Sequence, residues 1–275
     1  MKKYVLVVLT AVLLGSVYSC KKEQEPFTFV QMCDTQLGMG GYQHDIKTFE
    51  QAVQQINALH PDFAVICGDL VHHVSDTAYA EFKRILQGFE IPCHLAPGNH
   101  DVGKNPDAKR LAYYRETIGP DYFVFENKDV PFVVTNTQFW KGAAVVGETE
   151  KHNNWFHRSL DSLSKKHESV FVLGHYPLFL NSLEEEEKGH NLPLAKRKEL
   201  LAAFEKNNVK AYLSGHTHRL AINAINDIQL VSGETTSRNF DNNPMGFRLW
   251  NVEKDTVFHQ FVPLTEQFEE LKVKK

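Results

Sequence analysis

Cysteine is scarce in this chain: four residues in 275, at positions 20, 33, 67 and 93, with no Cys-x-x-Cys pair. That spacing gives no support to a cysteine-ligated zinc. If Cys20 belongs to an N-terminal leader, the three that remain are an odd number and do not read as a disulfide framework. Cys33, Cys67 and Cys93 each lie in or beside an apolar stretch ("VQMCD", "AVICGD", "IPCHLAPG"), where a thiol serves as a small hydrophobe. Basic blocks are missing as well. Lys plus Arg total 30 against 34 Asp plus Glu, a formal charge of −4, and only the terminal "KVKK" is Lys-rich, so nucleic acid is not an expected partner. There is no internal repeat and no low-complexity segment, which sets aside a repeat architecture. The apolar stretch from Tyr4 to about Val17 is too short for a comfortable membrane span.

What is present begins with a leader. "MKKYVLVVLTAVLLGSVYSC" places two lysines before the apolar stretch and small residues before a cysteine, the layout of an export signal over residues 1–19. "SVYSC" resembles a bacterial lipobox, with Val17 and Ser19 fitting and Tyr18 bulkier than usual, so Cys20 is expected to be lipidated and to anchor an exported lipoprotein to a membrane. Loss of Lys2 and Lys3 with the leader takes the formal charge from −4 to −6. Residues 20–26 read as a polar tether and 27–275 as one domain.

A composition of 42% hydrophobic and 23% charged residues suits a sizeable globular core. From Phe27 onward, short β-rich runs alternate with amphipathic segments. "FTFVQMC" precedes a helical pattern from His44 to Leu59, with Ile46, Phe49, Val53, Ile56 and Leu59 spaced by three and four. "DFAVICGDL" precedes a helix starting near Ser75 or Asp76, and "IPCHLAPGNHD" completes a βαβ pattern of parallel strands. The alternation continues through "VPFVVTNTQF", a helix over about Asn153–Lys166, "SVFVLGHYPLF", a helix over about Leu194–Lys206 and "VKAYLSGHTH". After His218, strand-like runs follow with no helix between them, which predicts a more antiparallel final sheet. "EEEEKG", Glu184 to Gly189, reads as a solvated loop.

Polar residues gather wherever a strand is expected to end. Asp34 and Gln36 follow the first, Asp69 the second, Asn99, His100 and Asp101 the third; His175, then His216 and His218, follow later ones. In an open α/β sheet the carboxyl ends of the strands share one crevice. Carboxylates, amide oxygens and imidazoles suit divalent first-row metals, and a set this large exceeds what one ion of four to six ligands needs, so two ions are expected.

These motifs, Asp-x-Gln, Gly-Asp, Gly-Asn-His-Asp, Gly-His and Gly-His-x-His in that order, resemble the calcineurin-like metallophosphoesterases over nearly all of the mature chain, Phe27 to about Phe261. The family's first motif ordinarily carries His where this chain has Gln36. An Asp-x-Gln opening occurs in the branch of calcineurin-like phosphoesterase domain-containing protein 1 and in manganese-dependent ADP-ribose diphosphatases. "DTQLG", "GDLVH", "PGNHDVG", "NTQFW" and "HYPLFL" look most like the former.

The resemblance implies an α/β fold of two packed mixed β-sheets flanked by helices, an αββα sandwich. It implies two divalent ions, Mn favoured with Fe or Zn as alternatives, and Gln36 as a weak, hard ligand. By the same resemblance Asp69 bridges the ions, Asp34, Gln36 and His218 complete one site, and Asn99, His175 and His216 the other. In-line attack by a metal-bridging hydroxide follows, with His100 protonating the leaving oxygen and Asp101 holding that imidazole. Arg219 and Asn136 are candidate substrate contacts, while Tyr176 and His190 are candidates for the mouth of the site. The expected activity is hydrolysis of phosphate monoesters on a phosphorylated substrate. Phosphodiester or nucleotide diphosphate hydrolysis is the alternative, and a non-catalytic binding lipoprotein is the reading from another class.

Overall fold

Phe27–Met32, buried at five of its six positions, is the strand β1 from which the fold is built. The computed structural model describes residues 24–142, 145, 147–254 and 256–265. The leader and Cys20 lie outside the described residues.

The elements run β1, α1 (Tyr42–Leu59), β2 (Phe63–Cys67), α2 (Asp76–Leu86), β3 (Cys93–Ala96), α3 (Asn99–Val102), α4 (Ala108–Thr117), β4 (Phe123–Asn127), β5 (Val130–Val134), α5 (Gln138–Lys141) and α6 (Glu148–Leu163). Then come β6 (Val170–Leu173), α7 (Leu194–Lys206), β7 (Val209–Ser214), β8 (Ala221–Ile225), β9 (Ile228–Ser232), β10 (Gly246–Val252) and β11 (Val257–Pro263). One sheet has the order β11-β10-β1-β2-β3 and the other β4-β5-β6-β7-β9-β8. The expected parallel pairing of β1, β2 and β3 is present. So is the cap of the second helix, where Ser75 Oγ accepts from Ala78 N–H at 3.1 Å.

Two expectations about elements need correction. The helix expected over 153–166 starts at Glu148, after Gly147 at a φ of 83°. The strands after His218 do not form a final sheet of their own. β9 pairs parallel with β7, whereas β10 pairs antiparallel with β1 and with β11, which forms the edge of the first sheet. Alternating apolar residues fix which face of a strand is buried, not which neighbour supplies its hydrogen bonds.

The two sheets face each other across an aromatic layer. Phe29 stacks on Phe63 at 5.1 Å and on Trp250 at 5.6 Å, and meets Phe132 of the opposite sheet edge-on at 5.2 Å. Within that layer Gln31, 1% exposed, joins the sheets. Its Oε1 accepts from the Trp250 indole N–H at 3.0 Å, and its amide donates to Ser214 O and Val231 O, each at 3.1 Å. Cys33 and Cys67 are buried free thiols, as expected of small hydrophobes, whereas Cys93 is half-buried.

Gln31→Leu would leave the fully buried Trp250 N–H without its acceptor. We expect a loss of about 1–3 kcal/mol in urea unfolding, and wild-type stability in that variant would contradict the role assigned to the amide.

Candidate metal centre

The ends of β1, β2 and β3 on one sheet and of β6 and β7 on the other meet at one rim of the sandwich. Every segment expected to carry a ligand arrives there. After β1, β2 and β7 the chain turns abruptly and the turns are strained: Asp34, Gln36, Asp69, His216 and His218 all have positive φ, between 32° and 72°. Such conformations cost about 1–3 kcal/mol each in non-glycine residues and gather at functional sites. Two glycines admit close approaches that no other residue would. A Cβ on Gly98 would lie 2.1 Å from both the N and Oδ1 of Asp69, and one on Gly215 would lie 2.4 Å from Asp34 Oδ2.

The first group of side chains converges on His175, which is fully buried. Its Nδ1 is 2.8 Å from the Cys67 carbonyl, which accepts the Nδ1 proton and leaves Nε2 as a lone pair in the neutral ring. Around that Nε2 lie His216 Nδ1 at 3.1 Å, Asn99 Oδ1 at 3.2 Å and Asp69 Oδ2 at 3.3 Å. Asp69, His175 and His216 present ligand atoms that all lie within 4.8 Å of one another. Acceptors at such distances need a cation among them.

The second group shares Asp69. His218 Nδ1 donates to the Arg238 carbonyl at 2.6 Å, so Nε2 is again the free nitrogen, 3.5 Å from Asp34 Oδ1. Gln36, 2% exposed, donates its amide to Asp69 Oδ2 at 3.4 Å and leaves Oε1 buried without a partner. Which end of an amide carries oxygen is assigned from its hydrogen bonds. Turned over, the amide brings a further acceptor oxygen to Asp69 Oδ2. The orphaned Oε1 and the facing lone pairs therefore fit divalent cations, and Asp69 Oδ2 lies where both groups meet.

The electrostatics agree. Burial alone would push the Asp69 carboxyl up, but His175 first, then His100 and His216, draw it well below the usual carboxylate range. Burial would lower His175, yet the Asp69 and Asp34 carboxylates hold its imidazolium up to about 10. Burial and the neighbouring His175 push His216 down to about 3, so this ring is neutral at physiological pH.

His100 and Asp101 stand differently from expectation. The Asp101 carboxylate accepts from Gly98 N–H at 2.7 Å and Leu70 N–H at 3.0 Å, tying the turn before α3 to the end of β2. It does not orient the His100 ring. That is done by His72, whose carbonyl lies 2.8 Å from His100 Nδ1 and whose ring stacks on it at 4.8 Å. The His100 backbone N–H donates to Asp69 Oδ1 at 2.8 Å.

Asn136 is fully buried and already engaged. It donates to Asp121 Oδ2 at 2.9 Å and accepts from Gln138 N–H at 3.2 Å, which removes it from the substrate candidates. Tyr176 packs beneath His216 at 1% exposure and is not at the mouth. Arg219 is exposed. Nor is the acidic run simply solvated. Glu185 accepts from the N–H groups of Leu180 at 3.0 Å and Asn181 at 2.8 Å, ordering a loop whose Gly189 carbonyl lies 3.3 Å from His216 Nε2. No periodicity distinguishes Glu185 from its acidic neighbours.

Residues 27–220 match the family model described as calcineurin-like phosphoesterase. The chain is 31% identical over 276 residues to serine/threonine-protein phosphatase CPPED1 of Mus musculus, covering 90% of this chain and 88% of that protein. The Bos taurus protein of the same name is 33% identical with the same coverage. Among solved structures the fold is similar to a dimetal phosphatase from Danio rerio, with a TM-score of 0.69 at 14% identity over 88% of this chain and 98% of that one. A purple acid phosphatase from yellow lupin seeds gives a TM-score of 0.66 at 14% identity, covering 89% of this chain and 52% of that one.

Gly98→Ala forces Asp69 to move and should weaken binding of Mn or Zn about 10–100-fold in equilibrium dialysis; unchanged affinity would refute the close-approach argument. In metal-free protein the raised His175 stabilises the imidazolium form. Its contribution is complete below the ordinary histidine value of about 6.5 and is lost as pH rises through about 10. The Tm difference between wild type and His175→Asn in excess chelator should shrink across that window, and a constant difference would contradict the assignment.

Proposed function

The chain belongs to the calcineurin-like phosphoesterase family, a class of metal-dependent phosphoric ester hydrolases, and from that premise we propose that it is a phosphatase acting on phosphate monoesters through two divalent ions. The observation that carries this reading is the gathering of ligand groups on both sides of Asp69 Oδ2: His175 Nε2 at 3.3 Å on one side, and on the other the Gln36 amide, whose nitrogen lies at 3.4 Å and whose Oε1 is buried without a partner. Asp34, Gln36, Asp69 and His218 would hold one ion, and Asp69, Asn99, His175 and His216 the other. The oxygen-rich first set favours Mn, with Fe or Zn as alternatives. Bound ions supply a nucleophilic hydroxide near neutral pH and offset charge on the phosphoryl oxygens.

The chain's own groups do the rest. The Cys67 and Arg238 carbonyls fix the tautomers of His175 and His218, so that each turns Nε2 toward the centre. The His72 carbonyl holds the Nδ1 proton of His100 and leaves its Nε2 to carry the proton that the leaving oxygen takes. Through its backbone N–H, His100 is locked to the carboxylate shared by both groups. The monoester assignment is supported by the similarity to relatives named serine/threonine-protein phosphatase. Export and attachment through Cys20 belong to the same reading and are supported by the leader sequence alone.

The test is kcat/KM of the Mn-reconstituted protein on an aryl phosphate monoester against the matching bis-aryl diester. A strong monoester preference is expected, and a diester preference would replace the phosphatase reading with a phosphodiesterase one. His100→Ala should lower turnover of an alkyl monoester about 100-fold or more with metal content unchanged. The loss should be smaller for the aryl ester, whose leaving group needs less protonation.

A further inference from the structure

A cleft of about 440 Å³ adjoins the centre, lined by Gly40 and His44 on one side and by Ser237, Arg238, Asn243 and Met245 on the other. Its wall is continuous with two candidate ligands. Ser237 Oγ donates to the Asp34 carbonyl at 2.8 Å, and the Arg238 carbonyl accepts from His218 Nδ1 at 2.6 Å. Phe240, from the same segment but outside the cleft lining, packs on the second of these ligands. Its ring stacks on His218 at 4.7 Å and 16°, its N–H donates to the His218 carbonyl at 2.7 Å, and the side chain is 43% exposed. The Arg238 guanidinium carbon lies 5.9 Å from the centre of that ring.

The arginines of the chain are otherwise committed. Arg84, Arg110, Arg115 and Arg248 pair with carboxylates, and Arg158 and Arg197 donate to backbone carbonyls. Among the described residues, the side chains of Arg219 and Arg238 alone lack any such acceptor, and both belong to segments that hold His218. Carboxylates near the cleft do not neutralise Arg238. Asp241 accepts from Leu220 N–H and Asn243, Asp45 from the N–H groups of Gly38 and Gly40, and Glu234 faces Arg248 at 3.4 Å. Exposed and without an anion of its own, Arg238 stands on a wall shared with the metal centre.

We infer that this cleft is the leaving-group subsite and that Arg238 selects phosphate monoesters whose leaving group carries a second anionic group, a carboxylate or a further phosphate. The inference rests on the phosphatase reading and names its substrate class. Guanidinium recognises either anion through paired N–H donors, and Phe240 restricts where the fork can lie.

Three phosphoserine peptides, alike except for Asp, Lys or a second phosphoserine beside the reacting residue, test it with the full-length, Mn-loaded protein. Wild type should favour either anionic peptide over the Lys peptide about tenfold in kcat/KM, less at high salt. Whichever anionic peptide is preferred identifies the group read. Arg238→Met should bring the ratio close to one, Arg238→Lys should recover part of it, and Arg219→Met should keep it. The Arg238 carbonyl that holds His218 survives each substitution, and metal content checks the fold. No preference in wild type, a preference retained in Arg238→Met, or one abolished by Arg219→Met instead, overturns the inference while the phosphatase reading stands. Cleavage of an aryl phosphate monoester but of none of the peptides overturns the inference alone; failure to cleave the aryl monoester as well, with metal bound, overturns the phosphatase reading and the inference with it.

Discussion

Everything about this protein's rim depends on bringing together groups that repel one another. The Asp69 carboxylate, a second carboxylate at Asp34, amide groups and three imidazole lone pairs face one another at separations of 3.1–3.5 Å. Left to itself such a cluster would spread apart or collect protons, and His175, held protonated up to about 10, shows the second tendency. A cation relieves the repulsion, but only if the scaffold resists the spreading first.

The scaffold does so through backbone geometry and packing. Left-handed residues at five of the ligand positions turn the chain sharply after β1, β2 and β7, while Gly98 and Gly215 let neighbouring turns come closer than a Cβ permits. Strain of this kind persists only where the surroundings over-determine it. Here the surroundings are the two sheets, locked by the layer around Phe29, Phe132 and Trp250 and by the Gln31 amide that spans them. The Asp101 carboxylate adds a third restraint by tying the third strand end to the second. A carboxylate expected to serve the chemistry directly thus serves the frame that presents it.

Around this frame, loops supply what differs from one enzyme of the family to another. The loop ordered by Glu185 abuts His216, and the segment Ser237–Met245 abuts His218. The two histidines of one Gly-His-x-His motif therefore face different walls. Selectivity and metal geometry are joined at these rings, because the Arg238 carbonyl that fixes the His218 tautomer belongs to the residue whose guanidinium faces solvent.

The sequence by itself determined the strand-end motifs, their order and the parallel βαβ start, because each depends on residues a few positions apart; the seven candidate ligands came from the family that those motifs resemble. The departure at Gln36 was equally visible there. What only the tertiary structure decided involves partners from 15 to more than 200 residues apart: His72 rather than Asp101 behind His100, Asp121 as the partner of Asn136, the two sheets' claims on the final strands, and Arg238 beside His218. Hydrogen bonds across such separations leave no periodic trace in the chain. They exist only once burial has brought the strand ends together and each polar group must find a partner.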